Sequence, residues 1–396
     1  MSSIAEKIFD FNKGRSKIFL DIKYKALKES PFRFYRGTCH LFFEDLAKNV
    51  PVKDPTKIWI CGDLHIENFG TYKGDNGLTY FDMNDFDEAL LGPATWEILR
   101  TMTSIYLAAS ELKLPSKMGD ELVEYFFSSY LKIILKGKPV VFERDTTKGI
   151  IKNFINTVSK RKSKELLEGR IVENPPKRAE LKIIKGHTIL ASNEVIKAVT
   201  HSVEKWCAEN NHKNWEVCDV MYRVAGTGSL GVNRFVVLMY YSKIKKYFLL
   251  DIKQAVPSSV KPFIKVKQPV WKNEAERVIT IQGYLQNVTP ALLSTLIHEK
   301  APYTVKKLQP TEDRMDLQLC NGKTKKFKEV IGAFAEITAS AQLRSTGRKG
   351  SITADELTTF FKRSDSWKKD LLQYSKRYAA QVKKDYSAFC KEAANL

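Results

Sequence analysis

The sequence predicts an α+β protein with helices toward both ends of the chain and strands concentrated in its middle. Residues 1–50 and the residues from about 324 onward repeat apolar side chains every three or four positions, which is typical of amphipathic helices. After Asp219 the segments VMYRVA, VNRFVVLMYY and YFLLDIKQA are rich in β-branched and aromatic residues and are separated by turns. The earlier segments KIWICG and LTYFDMNDF flank the turn YKGDNG and predict a second, hairpin-like β unit.

The composition indicates a globular protein that favours anionic ligands. Among 396 residues, 43% are hydrophobic, and Lys+Arg 65 against Asp+Glu 45 gives a net charge of +20. Such an excess favours nucleotides, nucleic acid or acidic membrane surfaces as partners. A lysine-rich solvated surface without a specific partner is the alternative. The six cysteines form no CxxC pair, so neither a zinc site nor a disulfide framework is expected. No apolar run approaches the roughly 18 residues of a membrane helix, and we expect a cytoplasmic protein without a membrane span.

The chain divides into four segments by pattern. The second of these is basic, contains Pro175-Pro176 and is predicted to be an insertion or linking subdomain. The third is the β-rich segment, and the first and last are mainly helical. The predicted boundaries are 1–135, 136–215, 216–310 and 311–396.

Two dense polar clusters follow the first two predicted strands. The first cluster comprises Asp63, His65, Glu67 and Asn68, and the second comprises Asp82, Asp85, Asp87 and Glu88. Loops at strand ends carry many functional residues. Taken singly, such residues are often only turn and cap residues, which is the simpler alternative for each. Two such clusters separated by one predicted turn favour a functional site.

The residue types in these clusters fit magnesium-assisted phosphoryl transfer. Mg²⁺ prefers carboxylate and amide oxygens together with substrate phosphates, so Asn68 and an aspartate of the second cluster form a plausible ligand pair. Asp63 remains as the general base, because phosphoryl transfer needs an aspartate to orient or deprotonate the attacking hydroxyl. Asp63 and Asn68 are five residues apart, the interval that separates the base from the metal-binding asparagine in such catalytic loops. His65 is predicted to have a structural role in this loop.

A glycine-rich segment, GTGSLG, contains Gly226, Gly228, Ser229 and Gly231. A strand rather than a helix is predicted to follow it, which argues against a dinucleotide-binding fingerprint. A glycine loop between two strands is instead typical of a hairpin folded over nucleotide phosphates, and it predicts a lysine on the third strand.

Lys253 in LLDIKQA occupies that position on the third strand. Because apolar residues flank it, its ammonium group would be partly buried and would need an anionic partner. Nucleotide phosphates and a helix glutamate would serve, and Glu276 or Glu274 in NEAERVI are the candidates. An ordinary solvent-facing strand lysine is the alternative.

Several of these stretches resemble one known family. GDLHIENFG, FDMNDFDEALLGPATWEI, SPFRFYRGTCHLFFEDLA, RVAGTGSLGVNRFVVLM with LLDIKQA, and AQLRS are similar to the bacterial family called domain of unknown function 2252. That family is a relative of the protein kinases and aminoglycoside phosphotransferases. The matching stretches extend over most of the chain. Where we expect a histidine of the family in AQLRS, this chain has Gln342.

The resemblance implies a protein kinase-like fold with a helical large lobe and an antiparallel β small lobe. It implies that Asp63 is the base, that Asn68 and Asp85 hold Mg²⁺ with Asp87 beside them, and that Asp82 is the rival of Asp85. GTGSLG then corresponds to the glycine-rich loop and Lys253 to the phosphate-binding lysine. The order is reversed, since the glycine loop follows the catalytic loop by about 160 residues, which implies a circular permutation.

The leading hypothesis is therefore an ATP- and Mg²⁺-dependent phosphotransferase with a small-molecule or protein acceptor, for which the charge favours an anion. Nucleotidyl transfer onto a protein would use the same groups. A pseudokinase that binds nucleotide or acts as a scaffold without turnover is the alternative, and a metal-dependent phosphoesterase is a third reading. Nucleic-acid binding through residues 136–215 is a less favoured alternative.

Overall fold

A computed structural model describes residues 2–173, 178–310 and 313–393, and it has an α+β fold with antiparallel sheets, as the sequence predicts. Pro175 and Pro176 of the predicted insertion lie outside the described residues. The helices are α1 (Ile4–Phe11), α2 (Lys17–Leu27), α3 (Pro31–Gly37), α4 (Cys39–Lys48), α5 (Ala94–Glu111), α6 (Ser116–Lys136), α7 (Gly149–Ser159), α8 (Ser163–Glu168), α9 (Asn193–Glu209), α10 (Glu274–Leu285), α11 (Thr324–Ser345), α12 (Ala354–Phe361) and α13 (Lys368–Glu392).

The strands form antiparallel sheets of different sizes. They are β1 (Ile58–Ile60), β2 (Phe69–Lys73), β3 (Thr79–Met83), β4 (Leu90–Gly92), β5 (Ile171–Val172), β6 (Glu180–Leu181), β7 (Thr188–Leu190), β8 (Trp215–Arg223), β9 (Arg234–Tyr241), β10 (Lys246–Gln254), β11 (Ser294–His298), β12 (Ala301–Leu308) and β13 (Asp313–Arg314). The largest sheet has the order β11-β12-β10-β9-β8-β7. A second sheet has the order β13-β2-β3, while β1 pairs with β4 and β5 with β6.

The six-stranded sheet is covered on both faces because its strands carry apolar residues at consecutive positions. On β10, Leu250 packs with β9 residues and α9, while its neighbour Leu249 packs on the opposite face with Leu308. Val203 and Trp206 of α9 cover the first face. A strand buried on both faces has no polar alternation, which explains the unbroken apolar run in this part of the sequence.

The main core is helical and surrounds α5, whose residues are buried almost all round. Helices α6 and α13 pack against it, and α11 packs against α6 and also contacts β1 and β3. The ring of Phe69 on β2 stacks on Phe334 of α11 at a centroid distance of 4.2 Å. This packing fixes the small β units against the helices, and the candidate site residues follow directly from those strands.

The turn of the predicted hairpin joins a different pair of strands from the pair that was expected. The turn YKGDNG joins β2 to β3, with Phe69 opposite Met83, whereas β1 pairs with β4 through Trp59 opposite Leu91. The prediction paired the strand in KIWICG with that in LTYFDMNDF and was wrong on this point. The cause is that β2 (Phe69–Lys73) lies between the polar loop and the predicted turn, where the sequence analysis assigned no strand.

Residues 136–215 contribute to more than one part of the molecule. Helix α7 packs against α11, whereas β7 forms the edge of the six-stranded sheet and α9 covers one face of it. Within the described residues, no helix is both long and apolar enough to cross a bilayer.

Candidate active site

The loop after β1 is set by one glycine and one buried glutamate. Gly62 has φ +83°, and a Cβ there would collide with the backbone carbonyl of Glu88. Only glycine fits both requirements without strain. The carboxylate of Glu97, fully buried on α5, accepts hydrogen bonds from the backbone N–H groups of Cys61 and Gly62. These contacts fix the backbone immediately before Asp63.

Asp63, the predicted general base, is held by Arg100 of α5. Nε of Arg100 donates to Oδ1 of Asp63 at 2.7 Å, and Nη2 donates to the same oxygen. The guanidinium group is fully buried and lies over the Tyr35 ring at 4.2 Å. Both bonds go to Oδ1, and Oδ2 lies on the side of the glycine loop, 3.6 Å from where a Cβ of Gly228 would stand. Burial raises the pKa of Asp63, and Arg100 only partly offsets this effect.

Asn68 and His65 complete the loop. The side-chain N–H of Asn68 donates to the carbonyl oxygen of Asp63 at 2.6 Å, which leaves Oδ1 of Asn68 as an available ligand atom. Nδ1 of His65 accepts from the Glu67 N–H at 3.2 Å. Burial, reinforced by Arg36, holds the pKa of His65 well below its ordinary value, so the ring is neutral. This contact is consistent with the predicted structural role of His65.

The second polar cluster places Asp85 and Asp87 next to Lys253. Nζ of Lys253 lies 3.7 Å from Oδ1 of Asp85 and is also ion-paired with Asp87. Burial would raise the pKa of Asp85, but the charges of Lys253 and Arg234 outweigh it and lower that pKa overall. Burial and the neighbouring Asp85 charge raise the pKa of Asp87. The two carboxylates therefore share one ammonium group and differ in their affinity for a proton.

Asp82, the rival of Asp85 in the prediction, lies elsewhere. Its Oδ2 is 3.3 Å from Nη2 of Arg344, and its Oδ1 accepts from the Met83 N–H. Asp82 is not among the residues that line the cavity containing Asp63 and Asp85. The structure therefore brings Asp85, not Asp82, together with the predicted base.

The glycine loop connects β8 to β9 above these carboxylates. Gly226 and Gly231 have φ +77° and +97°, and a Cβ at Gly231 would collide with the Arg15 side chain. Gly226, Gly228 and Ser229 line the cavity, whereas Gly231 makes room for the Arg15 side chain.

Beneath the loop two cations lie opposite each other on neighbouring strands. Lys253 on β10 is the register partner of Arg234 on β9. Like charges directly opposite each other are destabilising unless anions compensate them. Asp251 accepts from Nε of Arg234 at 2.7 Å and from Arg223 at 2.7 Å, while Asp85 and Asp87 compensate Lys253.

These elements enclose a cavity of about 50 Å³. Its walls bring together residues that are far apart in the chain, and seven of the ten predicted site residues are among them, whereas Gly231, Lys253 and Glu276 are not. The lining includes Asp63, Asn68, Asp85, Asp87, Glu88, Gly226, Gly228, Ser229, Arg15 and Arg36.

Neither predicted glutamate partner of Lys253 reaches it. Oε2 of Glu276 accepts from the Lys272 N–H at 2.5 Å at the start of α10, and Glu274 is ion-paired with Arg277 at 2.5 Å. Helix α10 begins at Glu274, so both side chains serve the helix terminus and its first turn. The expectation for Glu276 and Glu274 is thus replaced by the ion pairs of Lys253 with Asp85 and Asp87.

Apart from Lys253, sequence reasoning did not identify the cationic residues of the site. The sequence does contain a signal for Arg100, because this residue lies within an apolar helical segment, where a charged residue needs a buried partner. Arg15 and Lys23 gave no signal, since amphipathic helices commonly carry such residues. Lys23 is fully buried, and its Nζ donates to the carbonyl oxygen of Gly228 at 2.9 Å, while Arg15 donates to the same oxygen at 3.3 Å.

The fold and the site define an α+β protein that has a glycine loop over a cavity lined by carboxylates and cations. The chain belongs to the family described as "Uncharacterized protein conserved in bacteria (DUF2252)", whose family model matches residues 15–392. This confirms the family predicted from the motifs. Neither the curated proteins nor the solved structures contain a match to this chain.

Proposed function

We propose that the protein is an ATP- and Mg²⁺-dependent phosphotransferase with a circularly permuted protein kinase-like fold. One observation carries this proposal. The loop of Asp63 and Asn68, the pair Asp85 and Asp87, and the glycine loop come from distant parts of the chain and line one cavity. Lys253 is ion-paired with the two carboxylates of that pair. In the permuted arrangement, the six-stranded sheet is the small lobe, and the helical core around α5 is the large lobe.

The residues present fit a magnesium ion that is shared with a nucleotide. Asp85, Asp87 and Oδ1 of Asn68 supply two carboxylates and one amide oxygen. Within the described residues, no three His, Cys, Asp or Glu side chains are grouped to hold a metal ion by themselves. A site with few protein oxygens matches Mg²⁺, which usually keeps waters and binds substrate phosphates. The ion would neutralise the charge of the phosphates. The same finding counts against a two-metal phosphoesterase, which needs ligands from several loops.

The protein's own residues have separate roles in this proposal. Oδ2 of Asp63, on the glycine-loop side, accepts the proton of the acceptor hydroxyl, while Arg100 keeps the carboxylate oriented through Oδ1. Lys253 neutralises the nucleotide phosphates. Arg15 and Arg36 also line the cavity, which favours an acceptor that carries an anionic group.

The cavity must open before it can admit a nucleotide. Its volume of about 50 Å³ is far below the roughly 300–1,000 Å³ of small-molecule sites. Lys23 and Arg15 hold the glycine loop through the carbonyl oxygen of Gly228. We therefore expect the loop to move away from α1 and α2 when nucleotide binds.

The direct test is transfer of label from ATP. Protein incubated with Mg²⁺ and ATP labelled at the γ-phosphate should release labelled phosphate or label itself or an added acceptor mixture. Asp63→Asn should lower this rate at least about a hundredfold, because a general base contributes roughly that much, while Asp145→Asn, an exposed control, should leave it unchanged. Label transferred from the α-phosphate alone would show nucleotidyl transfer. Transfer that persists in Asp63→Asn would contradict the assignment of the base.

A nucleotide-binding protein without turnover is the second candidate, and one observation favours it. Both hydrogen bonds of Arg100 and the burial of Asp63 hold that carboxylate in a structural ion pair. In this case MgATP binds, no label is transferred, and Asp63→Asn reduces stability without changing any rate.

A further inference from the structure

We propose that a basic groove at the end of the six-stranded sheet, separate from the candidate active site, binds single-stranded nucleic acid. The basic groove has a volume of about 510 Å³ and lies between the ends of β10 and β12 and the turn that joins β2 to β3. Its lining includes the lysines Lys73, Lys246 and Lys307 and the aromatic residues Trp215, Tyr241 and Phe248.

The backbone holds two of the lysines next to each other. The N–H of Ala291 donates to the carbonyl oxygen of Lys73 at 3.0 Å, and the N–H of Lys307 donates to the carbonyl oxygen of Ala291 at 2.9 Å. The side chain of Gln309 bonds both the N–H and the carbonyl oxygen of Lys73, at 2.6 and 3.0 Å. These hydrogen bonds connect β2 with β12, so the fold itself fixes the shape of the basic groove.

The lysines of the groove lack acidic partners. Across the described ranges, Lys73, Lys246 and Lys307 form no ion pair with a carboxylate, although many other cations of the molecule do. The acid in the groove is Asp75, whose carboxylate accepts from the Leu292 N–H at 3.1 Å. Burial, and after it the charge of Lys73, lower the pKa of Lys307, while the charge of Asp75 opposes them. The groove is thus electrostatically matched to an anion.

Aromatic rings form the other part of the lining. Nζ of Lys307 lies over the Phe248 ring at 5.7 Å, and Phe248 contacts Trp215 at a centroid distance of 4.7 Å. Tyr241, the register partner of Trp215, is half-buried and extends the aromatic surface. Lysines for the backbone and rings for the bases are the combination by which proteins bind single strands without sequence preference.

The groove continues into a second basic depression of about 400 Å³. The two share Leu166, Leu308 and Gln309, and the second is lined by Arg161, Lys162, Arg170 and Arg223. Arg161 and Arg223 are paired with Asp313 and Asp251, and Glu165 also lines this second depression. Continuity over two depressions fits an extended polyanion better than a single small ligand. An acidic peptide would meet the cations but leave the aromatic rings unused.

The test is fluorescence anisotropy with a labelled single-stranded oligouridylate of about twelve nucleotides at low salt. We expect saturable binding by the wild type. The double variant Lys73→Gln and Lys307→Gln should weaken it at least about tenfold and reduce the magnitude of the log–log salt slope by roughly 1.4, since each phosphate contact contributes about 0.7 for a single strand. Tyr241→Leu should weaken binding by a smaller factor. The matched double variant Lys325→Gln and Lys369→Gln removes two exposed lysines outside the groove and should bind like the wild type.

Three results would overturn the proposal. The first is the absence of binding by the wild type at low salt, and the second is equal weakening by the groove and control variants. The third is displacement of the oligonucleotide by polyglutamate at equal charge concentration, which would assign the groove to an acidic peptide. Thermal denaturation of each variant should match that of the wild type, so that a loss of binding cannot arise from unfolding.

Discussion

Asp63 and the pair Asp85 and Asp87 line the same cavity, but the protein holds them in different ways. Asp63 is bound by a guanidinium group that has no exposed surface and that lies over the ring of Tyr35. Asp85 and Asp87 are more exposed, with 43% and 28% of their side-chain surface accessible, and share the single ammonium group of Lys253. One carboxylate is fixed by the core, whereas the other two are neutralised by a side chain at the edge of the cavity.

This difference indicates which part of the site is rigid and which part can exchange partners. A buried ion pair cannot be broken without leaving an uncompensated charge. An ammonium group whose two carboxylate partners are partly exposed can be replaced by another cation at a much smaller cost. We therefore expect the Asp63 side to determine stability and the Asp85 and Asp87 side to determine ligand binding. The following changes test this division.

The largest effect is expected from Arg100→Leu. Removing the guanidinium leaves Asp63, of whose side-chain surface only 19% is accessible, without its partner. Breaking a largely buried pair costs about 3–5 kcal/mol of unfolding free energy. Urea denaturation measures the loss, with Arg363→Leu as an exposed control that should change stability by less than about 0.5 kcal/mol. The double variant Arg100→Leu and Asp63→Asn should recover part of the loss. A single-variant loss below about 1 kcal/mol would mean that Asp63 is not held by the core.

A somewhat smaller effect is expected from pH, through Glu97. Burial raises the pKa of Glu97 to about 7 from an ordinary value of 4.5, so the folded state binds the extra proton over this range. The stabilisation is fully present below pH 4.5 and is lost as the pH rises to about 7, in total about 3 kcal/mol. The unfolding free energy should therefore fall further between pH 5 and pH 8 in the wild type than in Glu97→Gln. Glu204→Gln, at an exposed site, should follow the wild type. Parallel curves for the wild type and Glu97→Gln would contradict the prediction.

A still smaller effect is expected on the exchangeable side, from Lys253→Met. When the ammonium group is removed, a divalent cation no longer has to compete with it for Asp85 and Asp87. We expect Mn²⁺ alone to bind about fivefold more tightly, corresponding to roughly 1 kcal/mol. Titration followed by water proton relaxation measures this change, and Lys325→Met is the control. Weaker Mn²⁺ binding in Lys253→Met would show that the lysine orients the carboxylates rather than occupying the cation site.

The smallest effect is expected from Asp85→Asn on stability. Lys253 keeps Asp87 as its partner, and the repulsion between the two carboxylates is removed. The unfolding free energy should change by less than about 1 kcal/mol. Asp63→Asn, by contrast, should cost several times more because Arg100 loses its counter-charge. Equal losses for the two asparagine variants would remove the distinction between the two parts of the site.

The local features of the fold and of the site follow from short stretches of sequence. The helices near both ends, the strands of LLDIKQA and VNRFVVLMYY, and the loop that carries Asp63 all have local periodicity or turn residues. The glycine loop is likewise recognisable because a β-branched strand follows it. Patterns of this kind depend on neighbouring residues and do not need the tertiary structure.

The parts that could not be predicted depend on contacts between distant residues. The three-residue strand Leu90–Gly92 is too short to give a periodic signal, so the pairing of β1 with β4 was missed. The partner of Lys253 depends on where α10 begins relative to β10, and a glutamate at the first turn serves the helix itself. The contacts of Arg15 and Lys23 with the glycine loop join residues that are more than 200 positions apart.

The most direct test of the central claim is calorimetric titration of the protein with MgATP. We expect one site per chain, with binding weakened at least about tenfold in both Lys253→Met and Asp85→Asn, since each removes a charged contact worth about 1.4 kcal/mol or more. Lys307→Met, in the basic groove, should bind like the wild type. Failure of the wild type to bind MgATP, or equal binding by all the variants, would contradict a nucleotide site beneath the glycine loop.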